Sequence, residues 1–129
     1  MPREIAGEID SVARQVVDSA FAVHKALGPG LLESVYEACL DIEFTERRIP
    51  FRRQVPLPIS YKGREIGEAY RLDFLVGGTV ILELKAVEQI LPIHEAQLLS
   101  YLKLSGHRLG FLINFNVPVI KSGIKRMAF

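Results

Sequence analysis

The sequence predicts an α/β domain in which a mixed β-sheet is flanked by helices. Three features predict it. Two helical segments open the chain, three strand-like segments follow as a meander, and one further helix precedes a last strand. Apolar residues recur at helical spacing in the first third of the chain and alternate afterwards, which marks the change from helices to strands.

The two opening helices are separated by a turn rich in glycine and proline. Residues 5–27 predict an amphipathic helix. Its apolar positions are Ile5, Ile9, Val12, Val16, Ala20 and Leu27. Gly28-Pro29-Gly30 ends this helix, and a second helix is predicted from about Leu31 to Arg47.

Two tight turns join the three strands of the meander. Residues 52–60 alternate in polarity and contain two prolines. They suit an edge strand, because proline cannot donate a hydrogen bond to a sheet ladder. A turn at residues 61–64 leads into a strand from about 65 to 76. Gly77-Gly78 then forms a hairpin into residues 79–86, whose apolar run indicates a strand covered on both faces.

The last third of the chain completes the sheet. Leu91-Pro92 interrupts the chain, and a helix follows from about residue 93 to 104, closed by Ser105-Gly106. Residues 108–115 form the last strong strand. We expect residues 117–129 to pack on the body of the domain as a short strand or turn.

Composition limits the class of protein. The chain of 129 residues, 49% of them hydrophobic, predicts one packed domain spanning residues 1–129 and excludes a disordered linker. No apolar run approaches the roughly 20 residues of a membrane-spanning helix. The charged start MPREIAGEID and the single cysteine, Cys39, indicate a cytoplasmic protein. The net charge of +1 excludes a strongly basic protein that coats nucleic acid.

Three charged residues in the strand region indicate chemistry. Glu83 and Lys85 stand two apart in an otherwise apolar strand, so they share one face and are costly to bury without partners. A plain salt bridge would explain that pair alone. Asp73, just before the Gly77-Gly78 turn, is folded back beside Glu83 by the hairpin. Two adjacent carboxylates repel unless a proton or metal lies between them, so this set is typical of a phosphodiester-cleaving site.

The metal-site hypothesis carries a geometric condition. A regular two-residue turn at Gly77-Gly78 would align Asp73 with Leu82, which would put the two carboxylates on opposite faces of the sheet. An odd-length loop or a one-residue bulge would bring them to the same face, and glycines suit such a loop. The hypothesis therefore predicts one of these irregularities.

Three other residues join the candidate set. Gln97 and Tyr101 stand four apart on the third helix and share one face, although an exposed glutamine and a half-buried tyrosine would need no function. Glu33 lies one turn inside the second helix. Alone, it would be explained by the favourable interaction of an acid with a helix N-terminus.

Gly30, Glu33 and Tyr36 match the G-x-x-E-x-x-Y signature of the GxxExxY family, and the chain resembles that family over essentially its whole length. The resemblance runs through the segments LGPGLLESVYE, RLDFLV, ILELKAVE, HEAQLLSYL and GFLINFNVP. That family is similar to the PD-(D/E)XK nuclease superfamily. Its restriction-endonuclease-like αβββαβ core has a mixed sheet flanked by helices, and here an extra N-terminal helix would precede it.

The resemblance implies a role for each candidate residue. Asp73 and Glu83 would be metal ligands, Lys85 the catalytic lysine, and Glu33 the helix acid that reaches the metal directly or through water. Gln97 and Tyr101 match the Gln-xxx-Tyr motif of the exonuclease branch, in which they help to position the substrate and the lysine. Many members of that branch carry histidine at the position of Glu33. An acid there favours Mg²⁺, with Mn²⁺ as the alternative ion.

The sequence thus predicts a Mg²⁺-dependent nuclease that hydrolyses the phosphodiester bonds of DNA, or else of RNA, with a water activated near Lys85. Its expected partner is nucleic acid and not a membrane, and a homo-oligomer or a protein partner is compatible with the sequence. One alternative is a catalytically silent nucleic-acid-binding or accessory module with the nuclease fold, which the small size and near-neutral charge favour. The other is a metal-binding or structural protein that cuts nothing.

Overall fold

The structure, a computed structural model, describes residues 7–129 apart from the side chains of residues 68 and 69. Its elements are helix α1 (Gly7–Leu27), helix α2 (Glu33–Glu46), strands β1 (Phe51–Tyr61), β2 (Arg64–Val76) and β3 (Val80–Lys85), helix α3 (Pro92–Ser105), strand β4 (Leu109–Asn114), a 3-10 helix (Ile120–Gly123) and strand β5 (Ile124–Ala128). The predicted order of elements is confirmed. The first two residues of the predicted first helix, 5 and 6, lie outside the described residues.

The five strands form one mixed sheet in the order β1-β2-β3-β4-β5. β3 and β4 are parallel, and the other three neighbouring pairs are antiparallel. α3 supplies the crossover that a parallel pair requires. β1 lies at the edge of the sheet, as its prolines predicted, and the tail packs as a strand against β4. None of the helices in residues 7–129 is long and apolar enough to cross a membrane.

A hydrophobic core lies on each face of the sheet. α1 and α2 cover one face, where Val80, Leu82 and Leu84 of β3 are buried. α3 covers the other face and packs on Ile81. β3 is therefore covered on both sides, as predicted. A buried apolar strand gives rigid support to any polar side chain placed near its end.

The ribbon of β1 and β2 changes the face that it presents to the helices. Phe74 and Val76 lie in the core under α1 and α2, whereas Leu72 lies in the core under α3. Since side chains alternate along a regular strand, positions 72 and 74 should share one core. The break coincides with Gln54, which lies opposite Asp73 and has φ of 50°. This left-handed conformation costs a non-glycine residue about 1–2 kcal/mol.

The loop between β2 and β3 decides where the two carboxylates point. Phe74 pairs with Leu82 and Val76 with Val80, which leaves the three residues 77–79 as the loop. Continuation of this register aligns Asp73 with Glu83 on one face. The odd-length loop that the metal-site hypothesis required is confirmed. Its two glycines have φ of 60° and 68°, a region that only glycine adopts without strain.

We predict that the two loop glycines differ in their tolerance of alanine. At both positions alanine would be strained by about 1–2 kcal/mol, because φ is positive. At Gly77 an added Cβ would also lie 2.8 Å from the Cγ2 atom of Val12, whereas at Gly78 it would meet nothing within 4 Å. In urea unfolding, Gly77→Ala should lose clearly more stability than the matched Gly78→Ala. Addition of Val12→Ala should narrow the difference, and equal losses would contradict this account of the loop.

Candidate active site

Asp73 and Glu83 meet where β2 and β3 separate. The backbone pairing of these strands ends at Phe74 and Leu82. Beyond this point, hydrogen bonds from backbone N–H groups to the two carboxylates take the place of backbone–backbone hydrogen bonds between β2 and β3. The backbone N–H of Asp73 donates to Oε2 of Glu83 at 2.7 Å, and that of Leu84 donates to Oδ2 of Asp73 at 2.8 Å. Each carboxylate is therefore fixed through one oxygen by the strand of the other.

Burial of this pair leaves negative charge that is poorly compensated. Glu83 is only 7% exposed, and burial, with the charge of Asp73 as the next cause, raises the pKa of Glu83 to about 8. Burial also raises the pKa of Asp73, and the charge of Glu37 adds to this. Hydrogen bonds from the backbone and the charge of Lys85 act in the opposite direction. The site thus holds two acids whose ionised forms call for a cation.

Lys85 ends β3 two residues after Glu83, on the same face of the strand. Asn114, buried at the end of β4 and aligned with Lys85, fixes the backbone that follows. Its Oδ1 accepts from the N–H of Val87 at 3.1 Å, and its Nδ2 donates to the carbonyl of Val87 at 2.9 Å. The N–H of Phe115 donates to the carbonyl of Lys85 at 3.0 Å. The end of β3 is therefore held rigidly where the lysine projects.

The G-x-x-E-x-x-Y segment has a structural explanation. The hydroxyl of the fully buried Tyr36 donates to the carbonyl of Gly28 at 2.7 Å and accepts from the N–H of Leu31 at 3.1 Å. Its ring stacks on Phe115, with centroids 4.5 Å apart. Gly30, with φ of 96°, supplies the backbone bend that the turn needs. The tyrosine and the glycine together fix the turn that leads into α2.

This turn brings Glu33, the first residue of α2, to the margin of the site. Loss of contact with water raises the pKa of Glu33, and the negative charge of Asp73 raises it further. Lys85 acts in the opposite direction. Glu33 itself is exposed, and among the side chains that the structure describes no group of three or more histidines, cysteines or acids is arranged to hold a metal ion. The structure brings Asp73 and Glu83 together, and Glu33 lies nearby without completing a cluster of three.

α3 borders the same site from the other side. Tyr101 is buried, and burial, followed by the charge of Glu83, raises its pKa to about 12. Gln97 lies on the same side of α3, and both residues line one groove. The structure thus places the predicted helix pair together. His94, three residues before Gln97, helps to cap the helix, because its Nδ1 accepts a hydrogen bond from the N–H of Leu91 at the start of α3.

Two residues near Asp73 were missed by sequence reasoning. Nε2 of Gln54 donates to Oε1 of Glu37 at 2.8 Å and lies 3.5 Å from Oδ1 of Asp73. Glu37 stands one helical turn after Glu33 on α2, and that spacing was the one available signal for it. The left-handed backbone of Gln54 had no signal, because its neighbours read as a regular strand. A strained residue opposite a candidate ligand is typical of functional sites.

Two arginines between residues 47 and 53 form ion pairs with acidic side chains of α2. Arg53 forms ion pairs with Glu37 at 2.7 Å and Asp41 at 2.8 Å, and Arg47 pairs with Glu43 at 2.9 Å. An arginine that is already paired is less available for phosphate. Arg53 therefore attaches β1 to α2, whereas the pair between Arg47 and Glu43 lies within the C-terminal end of α2.

The donor set fits a divalent cation. Asp73 and Glu83 offer carboxylate oxygens, the ligands that Mg²⁺ prefers. Oε1 of Glu83 makes no hydrogen bond within the part of the chain that the structure describes, while Oε2 is held by the backbone. Burial and neighbouring negative charge raise the pKa of both groups, and a bound cation would offset these effects by stabilising the ionised carboxylates. Carboxylate oxygens are hard donors, which suit a hard divalent cation and disfavour a soft metal.

Comparison with known proteins gave one match. A family model described as the PD-(D/E)XK nuclease superfamily matches residues 10–127, which cover nearly all of the chain. The matched range runs from within α1 to within β5 and contains every element between them, consistent with a restriction-endonuclease-like fold. Searches of curated proteins and of solved structures gave no significant match.

We predict that stability without metal falls as the pH rises. The unfolded Glu83 ionises near its ordinary value of 4.5, whereas the folded protein keeps this proton up to about pH 8. Since the folded state binds more protons in this window, the free energy of unfolding should decrease from about pH 4.5 to about pH 8. Urea unfolding in chelator at several pH values measures the slope.

Glu83→Gln should reduce that slope, while the matched change Glu46→Gln, at the exposed end of α2, should leave it as in the parent. Millimolar Mg²⁺ or Mn²⁺ should raise the melting temperature of the parent most strongly at the upper end of the window, where the pair is ionised. Glu83→Gln should lose much of this response. If Glu83→Gln has the same pH slope as the parent, and if neither ion raises the melting temperature of the parent, the pair has only a structural role.

Proposed function

Since the chain belongs to the PD-(D/E)XK nuclease superfamily, we propose that it hydrolyses the phosphodiester bonds of DNA in a Mg²⁺-dependent reaction. Members of this superfamily act on nucleic acid and generally depend on a divalent metal. The observation that carries the proposal is the alignment of Asp73 with Glu83, on the strand face that also bears Lys85. RNA is the alternative substrate, and Mn²⁺ the alternative ion.

We further propose that the chain is a member of the GxxExxY family. The support is structural as well as sequential, because Gly30 and Tyr36 shape the turn that carries Glu33 to the site. Conservation of that spacing would preserve the position of the acid. In this proposal Glu33 contributes to the metal site through water, since it is exposed and stands apart from the carboxylate pair.

The carboxylate pair would hold the cation, and the strands fix where it would lie. One oxygen of each group is held by a backbone N–H, so little side-chain freedom is lost when the remaining oxygens bind. When bound, a divalent cation lowers the pKa of water and neutralises phosphate charge. Asp73 and Glu83 thereby determine which phosphate is placed for attack.

Lys85 would act on the phosphate and the attacking water. It lies on the strand face of Glu83, and a cation held by the two carboxylates would neutralise their charge and leave the lysine side chain available to the phosphate. A positioned cationic donor stabilises the charge that develops on the phosphate oxygens in the transition state. Asn114 maintains this position because it anchors the backbone just after the lysine. Gln97 and Tyr101 border the site on the α3 side and would position the substrate.

A catalytically silent nucleic-acid-binding or accessory module is the second candidate. One observation favours it: the acidic side chains that the structure describes do not assemble into a group of three around one point. A pair of carboxylates binds a cation more weakly than a fuller shell. In this alternative the site would bind nucleic acid without cutting it. A cytoplasmic location is proposed for either function, and a homo-oligomer or a protein partner would be compatible with both.

The proposal predicts that Lys85→Ala lowers turnover and spares binding. Loss of a group that acts mainly in the transition state should reduce the single-turnover rate on single- and double-stranded substrates by about 10²–10⁴-fold. The dissociation constant should change little, because phosphate affinity is spread over several contacts. Lys121→Ala, which removes an exposed lysine of the 3-10 helix, is the matched control and should cleave like the parent.

The same assay tests the need for metal. Cleavage should be absent in chelator, return with Mg²⁺ or Mn²⁺, and be lost in Glu83→Gln. If Lys85→Ala cleaves as fast as the parent, the site has been assigned wrongly. If the parent binds nucleic acid but cuts none with either ion, the binding module is the correct function.

A further inference from the structure

A groove lies between α3 and the β1–β2 ribbon, beside the carboxylate pair. Its volume is about 400 Å³. The residues that matter for its chemistry are Tyr70, Ile93, Gln97, Ser100, Tyr101 and Leu104. Among the side chains that the structure describes, those that line the groove are uncharged. The groove is therefore suited to a neutral, largely apolar group and not to a phosphate.

The apolar side chains of this groove are uncovered in the structure. Tyr70 is 46% exposed, Leu104 47% and Ile93 68%. The ring of Tyr70 lies 5.8 Å from that of Tyr101, with the ring planes at 53°. The buried ring of Tyr101 packs against the exposed ring of Tyr70. Part of the Tyr70 ring therefore remains accessible to a ligand. These apolar side chains give the groove a wall against which an apolar group can pack.

The groove is continuous with the candidate active site. Tyr101 forms part of its wall and lies close enough to Glu83 and Asp73 for their charge to raise its pKa. Gln97, the other residue of the helix pair, lines the same wall. A group bound in the groove would therefore lie near any phosphate held at the carboxylates. This proximity favours a part of the substrate over an unrelated ligand.

We propose that this groove binds one unstacked base of a single-stranded nucleic acid, with the base lying against Tyr70 and the adjoining phosphate at the carboxylate pair. The inference rests on the proposed function. Every base has a flat π-face, and stacking on an aromatic side chain is tolerant of sequence. The amide of Gln97 and the hydroxyl of Ser100 can donate to or accept from the edge of the base. Bases within an intact duplex are already stacked and cannot enter.

The chain provides a direct reporter for base stacking. It contains no tryptophan, so Tyr70→Trp introduces a single indole at the proposed contact. In the Lys85→Ala background, which keeps the substrate uncut, a single-stranded oligonucleotide should quench this fluorescence. A duplex of the same sequence should quench it much less. No quenching by a single strand that binds would overturn the proposal.

Affinity measurements locate the base. Tyr70→Ala should weaken binding of a single strand about 5- to 100-fold, the range expected for the loss of one base stack. Tyr70→Phe, which keeps the ring, should bind like the parent. Tyr61→Ala removes another exposed tyrosine of the β1–β2 ribbon, 64% exposed, and is the control that should have no effect. The melting temperature of each variant shows that it is folded.

Oligonucleotides that lack a single base at successive positions distinguish stacking from a structural effect. At one position the parent should lose affinity and bind no better than Tyr70→Ala, because the stacked base is gone. If Tyr70→Ala weakens binding by the same factor on every such strand, Tyr70 has only a structural role and the proposal fails.

The remaining outcomes separate this inference from the proposed function. A parent that cleaves nucleic acid while Tyr70→Ala cleaves and binds equally well overturns the base site alone. A parent that binds no nucleic acid at all overturns both. If the parent sediments as a dimer and Ile93→Asp makes it a monomer, the groove is an interface with a second copy of the chain. That result would overturn the base site.

Discussion

Two carboxylates from neighbouring strands share one buried position, and the repulsion between them is the constraint on which the site depends. Asp73 and Glu83 reach this position because the loop between β2 and β3 has three residues. Each is held there by a backbone N–H of the other strand. The pair is tolerated because β3 is buried on both faces and because a backbone N–H holds one oxygen of each carboxylate. A cation bound at this position would restore the stability that the buried repulsion costs, which would join the fold to the proposed function.

The rest of the site can be understood as support for this pair. Tyr36 and Gly30 fix the turn that brings α2 and Glu33 to its margin, and Asn114 holds the chain just beyond Lys85. Gln54 accepts a strained backbone conformation where it faces Asp73. These residues come from α2 and the turn before it, from β1 and from β4, so separate parts of the chain arrange the surroundings of the pair. Such support keeps a catalytic group within the narrow geometry that hydrolysis requires.

The sequence predicted the order of elements because apolar spacing, prolines and glycines mark the helices and strands directly. It also supplied the candidate acids and the lysine, but it left open whether the acids shared a face. That depended on whether Thr79 belonged to the loop or to β3, which no local pattern decides. Gln54 and Asn114 could not be found as site residues, since their roles arise from strand pairing between distant segments. The position of Glu33 outside the carboxylate pair likewise depends on how α2 packs on the sheet.

The central claim is that Asp73 and Glu83 together bind a divalent cation. The most direct measurement is anomalous diffraction from crystals of the protein soaked in Mn²⁺, with crystals of Glu83→Gln as the comparison. The account predicts one strong anomalous peak within coordination distance of both carboxylates, about 2.1 Å for a tightly held ion, and its loss in the variant. The absence of a peak between these residues at saturating Mn²⁺, or a peak that persists unchanged in Glu83→Gln, would contradict it.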